Sequence, residues 1–183
     1  MADAMRWGCA AVCVQPYWVP LLRDAPLPVV TVTGFPFGAD PKETKAAAAA
    51  RAVEAGASEI DMVLNLGAFK SGDHHAAAAD VAAVRAAVAG RVLKVILETG
   101  LLSTGEAEMA ARLCVGEGAD FLKTSTGYGP RGASVEDVFL LKRFGRVKAS
   151  AGIRTRAQAE ALVAAGAERL GASGTAGILA SCA

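Results

Sequence analysis

The chain has 183 residues, 53% of them hydrophobic and 20% charged, with a formal net charge of +1. That is enough for one packed domain with a large core, and it excludes a disordered chain. The near-neutral balance gives no general electrostatic reason to expect nucleic acid or an anionic membrane as a partner, and no apolar run of about 18 residues is present to span a bilayer.

In chain order, short β-branched runs alternate with Ala-rich amphipathic runs. The opening residues read as the end of a helix, without the basic leader expected of a signal peptide. Strands are expected at 10–14, 28–35, 58–66, 91–100, 120–126, 146–152 and 168–173, and helices at 40–56, 73–89, 104–118, 134–144 and 155–166. A βα unit repeating at about 20 to 35 residues calls for a parallel sheet with helices outside it. Three joints, AVEAGASEI, VGEGADFL and VAAGAERL, share one pattern: a helix ends, Gly supplies a left-handed cap, and a strand begins. One repeated joint favours a rotational barrel over an open sheet, and the missing Gly-x-Gly-x-x-Gly after the first strand weakens a dinucleotide-binding fold. The expectation is therefore a single domain over 1–183, an α/β TIM (β/α)8-type barrel with about seven of the eight strands, the first strand and most of its helix being absent.

The four cysteines, Cys9, Cys13, Cys114 and Cys182, form no Cys-x-x-Cys pair, and His74 and His75 lie apart from them. No zinc spacing results, and reduced thiols in a cytoplasmic protein are expected. The two histidines follow Ser71-Gly72-Asp73 at an expected helix start and read as solvated surface. Cys13 lies near a strand end, within reach of the site mouth, and reads in preference as a small buried hydrophobe.

In such a barrel, chemistry sits at the C-terminal ends of the strands. Those ends offer Asp61 and Asn65, Lys94 and Glu98, Lys123 with Thr124, Ser125 and Thr126, and Lys148. A lysine inside an apolar strand is costly to bury without a partner, and three strands each carry one. Lys94 comes early on its strand and so lies lower in the barrel. Lys123 and Lys148 come later, one βα unit apart. Two ammonium groups about 4 Å apart repel by roughly 4 kcal/mol at an effective dielectric near 20, enough to leave one amine largely neutral near pH 7. A neutral lysine can attack a carbonyl and form a Schiff base, with Asp61 moving protons directly or through a water. The structural alternatives are a salt bridge at the barrel bottom for Asp61 and pairing with Lys94 or another barrel lysine for Glu98. Small-residue loops follow the last two strands, SAGIRT and LGASGTAG, where barrels often cradle phosphate.

The segments VTVTGFPFG, EIDMVLNLGAFKSG, LKVILETG, ADFLKTSTGYGPRGAS and VKASAGIRT, in this order, resemble the deoxyribose-phosphate aldolase family of class I aldolases. The resemblance implies that Lys123 forms the Schiff base, that Lys148 tunes it electrostatically, and that Asp61 acts in proton transfer. Gly152, Gly171 and Ser173 fall on the family's phosphate loops. The reaction implied is reversible cleavage of 2-deoxy-D-ribose 5-phosphate to D-glyceraldehyde 3-phosphate and acetaldehyde, without metal or organic cofactor. The expected partner is the small sugar phosphate, with room for a homodimer and no role for nucleic acid or membrane. The chain departs from the family in four ways: Ala151-Gly152 stands where Gly-Gly is usual, Gly174 replaces a second serine, a first strand with an Asp-x-Thr segment is absent, and the C-terminal helix is cut short. A weakly active shortened barrel and a non-catalytic sugar-phosphate-binding barrel remain the alternatives. The shortened barrel is expected to leave a gap and to be less stable than one with its first strand restored.

Overall fold

Seven segments rich in Val, Ile, Leu and Phe form seven parallel strands, in a computed structural model that describes residues 1–180. They are β1 (Val12–Val14), β2 (Val29–Thr33), β3 (Glu59–Val63), β4 (Val92–Ile96), β5 (Phe121–Lys123), β6 (Val147–Ser150) and β7 (Arg169–Gly171). Their order in the sheet is their order in the chain. Each step is a parallel crossover, which requires a connection over one face of the sheet. The helices α2 (Lys42–Ala55), α4 (His74–Ala87), α5 (Thr104–Gly116), α6 (Val135–Leu141) and α7 (Arg156–Ala165) make most of these connections, and each packs on the next. Short helices α1 (Ala2–Arg6), α3 (Leu66–Lys70) and α8 (Thr175–Ala180) and two 3₁₀ turns complete the described chain. Cys182 lies outside the described residues.

Strand alternation divides the core in two. Ile60, Met62, Leu64, Leu93, Val95, Leu97, Leu122, Val147 and Ala149 belong to one apolar cluster with helix residues such as Ala49, Val81, Ala110, Leu141 and Leu162. The residues between them, Glu59, Asp61, Lys94, Phe121, Lys123, Lys148 and Ser150, take the opposite face. That face is concave. On a flat sheet β3 and β7, four strands apart, would be separated by about 19 Å, yet Glu59 of β3 meets Arg169 of β7 at 2.8 Å. The sheet therefore curls as a barrel wall does, with apolar residues towards the helices and charged ones inside.

The repeated joints fold alike. After α2, α5 and α7, the N–H groups of Gly56, Gly118 and Gly166 donate three residues back, to Val53, Val115 and Val163. The following N–H groups of Ala57, Ala119 and Ala167 donate five back, to Ala52, Cys114 and Leu162, completing a Schellman motif each time. All three glycines have positive φ, between 88° and 120°. The next residue, Ser58, Asp120 or Glu168, then donates to Val29, Leu93 or Val147 of the preceding strand. One hydrogen-bond pattern thus stops the helix and sets the register of the next strand.

A buried ion pair ties two helices to the strand ends. Lys45 of α2 is fully buried, and its Nζ donates to Val63 O at 3.0 Å and to Asp80 Oδ2 of α4 at 2.7 Å. The Thr33 hydroxyl donates to Lys45 O at 3.0 Å. Gly34, at a φ of 64°, lies against the lysine stem, where a Cβ would come within 2.6 Å of Cε. Desolvation pushes the Lys45 pKa down and the Asp80 pKa up, and the bond between them opposes both shifts. Asp80→Ala leaves a buried ammonium uncompensated, so it should cost about 3–5 kcal/mol in urea unfolding, while Lys45→Met with Asp80→Leu should cost clearly less. A single variant as stable as wild type would show that the pair does not tie the helices.

Candidate active site

Register brings the charged side chains to the inner face. Asp61 lies opposite Lys94 across β3 and β4, Lys123 opposite Ile96 across β4 and β5, and Lys123 opposite Lys148 across β5 and β6. Lys94 is itself opposite Phe121, two residues before Lys123. It therefore sits one pleat deeper than Lys123, as its early place on the strand predicts.

These side chains converge on one carboxylate. Asp61 Oδ2 accepts from Lys123 Nζ at 2.9 Å and from Lys148 Nζ at 2.7 Å, while Oδ1 accepts from Lys94 Nζ at 2.8 Å. Lys94 also meets Glu59 Oε2 at 2.5 Å, and Arg169 donates to both Glu59 oxygens at 2.8 and 2.9 Å. Two carboxylates thus face three ammonium groups and a guanidinium, a formal excess of positive charge. Burial opposes ionisation of Asp61, but Lys123, Lys148 and Lys94 together hold its carboxyl far below the usual carboxylate range. Burial also opposes ionisation of Glu59, and Lys94 and Arg169 hold it low.

Access separates the lysines. The Lys94 and Asp61 side chains are 0% exposed, whereas those of Lys123 and Lys148 are each 8% exposed. A carbonyl compound entering from the strand ends meets Lys123 and Lys148 and not Lys94. Both Asp61 oxygens and both Glu59 oxygens are already taken by cationic side chains, which makes the cluster a poor donor set for a metal ion.

Several expectations change. Glu98 does not pair with Lys94 or any other barrel lysine. Its φ of 49° turns it out of the strand direction, and its Oε2 accepts from Thr126 N at 3.2 Å and from the Thr126 hydroxyl. Lys94 is instead held by Asp61 and Glu59. Cys13 is exposed and not buried, because β1 is an edge strand. Its register with Val30 and Glu59 nevertheless turns the thiol to the inner face, where protein on that side partly desolvates it and, with Asp61, raises its pKa against the pull of Lys148, Lys123 and Lys94. His75 is exposed as expected, and His74 rests tilted on Phe69 with centroids 4.9 Å apart. Asn65 caps α3 by accepting from Ala68 N. Glu59 and Arg169 were not anticipated. Their signal was available: Glu59 precedes Asp61 by two residues and so shares its strand face, and Arg169 is a further cation in a strand.

The loops after β6 and β7 begin at the strand end next to Lys148. Gly171, the last residue of β7, packs beside that lysine, since a Cβ there would lie 3.0 Å from Ser150 Cβ and 3.3 Å from Lys148 Cε. Gly152 and Ser173 are exposed. Ala151 occupies a left-handed φ of 72°, a conformation that costs an L-residue roughly 1–2 kcal/mol. A Cβ on Gly127, in the loop after β5, would sit 3.6 Å from the Ala151 methyl, so the two loops touch.

Known proteins resemble this chain over nearly its whole length. The family model described as DeoC/LacD family aldolase matches residues 1–183. The chain is similar to a protein of Thermus thermophilus named deoxyribose-phosphate aldolase, at 50% identity over 179 residues, covering 93% of this chain and 81% of that protein. A protein of the same name from Deinococcus radiodurans is 47% identical over 185 residues, covering 97% and 84%. Among solved structures, the aldolase QR15 superposes with a TM-score of 0.95 at 38% identity, covering 99% of this chain and 85% of that one. The deoxyribose phosphate aldolase of Aeropyrum pernix, described as tetrameric, superposes with a TM-score of 0.89 at 32% identity, covering 99% and 80%.

Asp61→Asn removes the anion and leaves three buried ammonium groups facing one another, so we expect a loss of about 3–5 kcal/mol at pH 7. The folded carboxyl is held below its unfolded value of about 4. Its contribution is thus fully present above that pH and is lost as pH falls towards the folded value, and the gap between wild type and variant should narrow in acid. Urea unfolding at pH 7 and near pH 3 checks both points; a gap that is small, or that widens in acid, would contradict the assignment.

Proposed function

The chain belongs to the DeoC/LacD family of aldolases, and on that premise we propose that it reversibly cleaves 2-deoxy-D-ribose 5-phosphate to D-glyceraldehyde 3-phosphate and acetaldehyde, with Lys123 as the Schiff-base residue. The observation that carries this reading is the pair of accessible amines, Lys123 and Lys148, bonded to one buried carboxylate oxygen.

In the neutral form, Lys123 Nζ attacks the aldehyde carbon C1 of the open-chain sugar. The carbinolamine loses water and becomes an iminium ion. The C2–C3 bond then breaks as the C3 hydroxyl gives up its proton. Its electrons pass to the iminium nitrogen, leaving an enamine, and C3 departs as the aldehyde of glyceraldehyde 3-phosphate. Protonation of the enamine at C2 and hydrolysis release acetaldehyde and return the amine.

Lys148 tunes the site electrostatically: its adjacent positive charge favours the electron-rich enamine over the iminium ion. Asp61 accepts from both nitrogens and, as an anion held well below the usual carboxylate range, acts in proton transfer by orienting the two amines and stabilising the charge that moves between them. Asp61 has no exposure of its own, so solvent protons enter the site at the two lysines. The substrate phosphate is assigned to the loops of Gly152, Gly171 and Ser173, close to the excess of positive charge. Ala151 and Gly174 alter those loops without removing these three residues. Among the described residues no helix is long and apolar enough to cross a membrane. Cys9, Cys13 and Cys114 are free thiols, which supports a cytoplasmic setting. The tetramer described for the Aeropyrum pernix relative supports assembly with copies of this chain, a homodimer being the minimal form.

Borohydride reduction in the presence of acetaldehyde or the sugar phosphate should fix the adduct on Lys123, as read by peptide mapping. An adduct on Lys148 or Lys94, with Lys123 unmodified, would overturn the assignment. Lys148→Leu should lower turnover by about 10²- to 10⁴-fold while far-ultraviolet circular dichroism stays unchanged. Turnover at the wild-type level would remove Lys148 from the mechanism.

A further inference from the structure

Glu98 lies at the end of β4, next to the site, and has no part in the lysine cluster. It is 3% exposed and, among the described residues, is one of two non-glycine residues with positive φ. Among the described residues no cation pairs with it, and its Oε1 has no hydrogen-bond partner. A buried carboxylate on a strained backbone with one oxygen unused is unfavourable for folding alone. What it holds is the segment that leaves β5 directly after Lys123.

The neighbours of Glu98 fix where it stands. Leu97 N donates to Lys123 O and Thr99 N to Thr124 O, each at 2.9 Å. Between these bonds, the left-handed turn sends the Glu98 carboxylate to Thr126, whose N–H and hydroxyl both donate to Oε2. Thr126 Oγ1 then accepts from Tyr128 N at 3.0 Å. Gly129 closes over the group, and a Cβ there would fall 2.6 Å from Oε1. Further along the same loop, Arg131 and Thr99 are tied through Asp137, which accepts from Thr99 Oγ1 and from Arg131 Nη2 at 2.9 Å each. The loop tip carries Tyr128, exposed and edge-on to Phe35 of the loop after β2, with centroids 5.5 Å apart. The Glu98 carboxylate therefore sits at the root of a loop that bridges the rim between β2 and β5.

We propose that Glu98 is a positioning residue that holds the Thr124–Gly129 loop in place to orient the sugar phosphate, without acting on Lys123 itself. The inference rests on the proposed aldolase reading. It separates two events at the site. Schiff-base formation with acetaldehyde needs Lys123, which β5 and Asp61 hold. Turnover of the longer phosphorylated sugar also needs the rim.

The test compares wild type with Glu98→Ala, Glu98→Gly and Glu98→Gln. The Gly variant adopts the positive φ freely and so removes the carboxylate while relieving the backbone. The Gln variant keeps an oxygen that can accept both Thr126 bonds. The Ala and Gly variants should lose about tenfold or more in kcat/KM for the sugar phosphate, mainly through KM, and the Gln variant should recover to within about threefold of wild type. Borohydride trapping of acetaldehyde on Lys123 should proceed alike in all four. A Gly variant with wild-type kcat/KM, or a Gln variant as impaired as Ala, overturns the proposal. Amide hydrogen exchange gives a second arm: residues 124–129 should exchange faster in the Ala and Gly variants and not in Gln, and equal exchange in all four also overturns it. Failure of wild type to trap acetaldehyde on Lys123 would instead refute the Schiff-base reading, and the exchange arm would still decide whether Glu98 holds the loop. Should the Ala variant fail to fold, the Gly and Gln variants carry the comparison.

Discussion

The Asp61 carboxylate is the constraint on which the inner face of the sheet depends. Three lysines from three strands, β4, β5 and β6, have their ammonium groups within 2.9 Å of its two oxygens. None of these cations could be buried alone, because an unpaired charge away from water is costly. Each reaches Asp61, and Lys94 reaches Glu59 of the same strand as well, so the strands that carry them must curl towards β3. The concavity of the sheet and the arrangement of the site are in this sense a single requirement, met by apolar packing on the helix side and by charge pairing inside.

The same strands serve both purposes through their alternation. In β3, Ile60 and Met62 pack under the helices while Glu59 and Asp61 face inward; in β6, Val147 and Ala149 pack while Lys148 and Ser150 face inward. A slip of one residue in register would exchange the sets, placing carboxylates under helices and isoleucine in the charged interior. The penalty for such a slip is paid on both faces at once, which fixes the register more firmly than an apolar core alone would. The repeated Schellman joints contribute to the same end, since each sets the first hydrogen bond of the strand that follows.

The parallel architecture, the seven strands, the five long helices and the capping joints were legible because each rests on a local pattern. The three lysines and Asp61 were legible because a charge within an apolar run stands out. What remained hidden was pairing across the barrel. Sequence offers Lys94 the nearby Glu98, four residues on. Register gives it Asp61 and Glu59 of the neighbouring strand instead, and Arg169 joins them from β7. Glu98 escapes prediction for a different reason: its partner is chosen by a single left-handed φ, which no periodicity encodes. The expected strands run past Ile96 and Lys123 for a separate reason: Leu97 and Thr124 to Thr126 keep strand-like composition where the chain turns away to build the rim.

The Lys45–Asp80 pair and the inner cluster around Asp61 are arranged for opposite ends. Lys45 and Asp80 balance one for one, are sealed between helices and strand ends, and present nothing to solvent. Their neutrality suits a tether. The inner cluster does not balance, and its accessible members, Lys123 and Lys148, are cations at the end where strands give way to loops. A fold under selection for stability alone would gain by replacing one of them with an apolar residue of similar volume. Retaining an excess of positive charge there is favourable only if something negative arrives to meet it. On the proposed reading a phosphorylated sugar does so, and its binding offsets repulsion that the empty site must bear. The charge imbalance that weakens the resting barrel then becomes part of the affinity for substrate and part of the means by which one amine is kept ready to react.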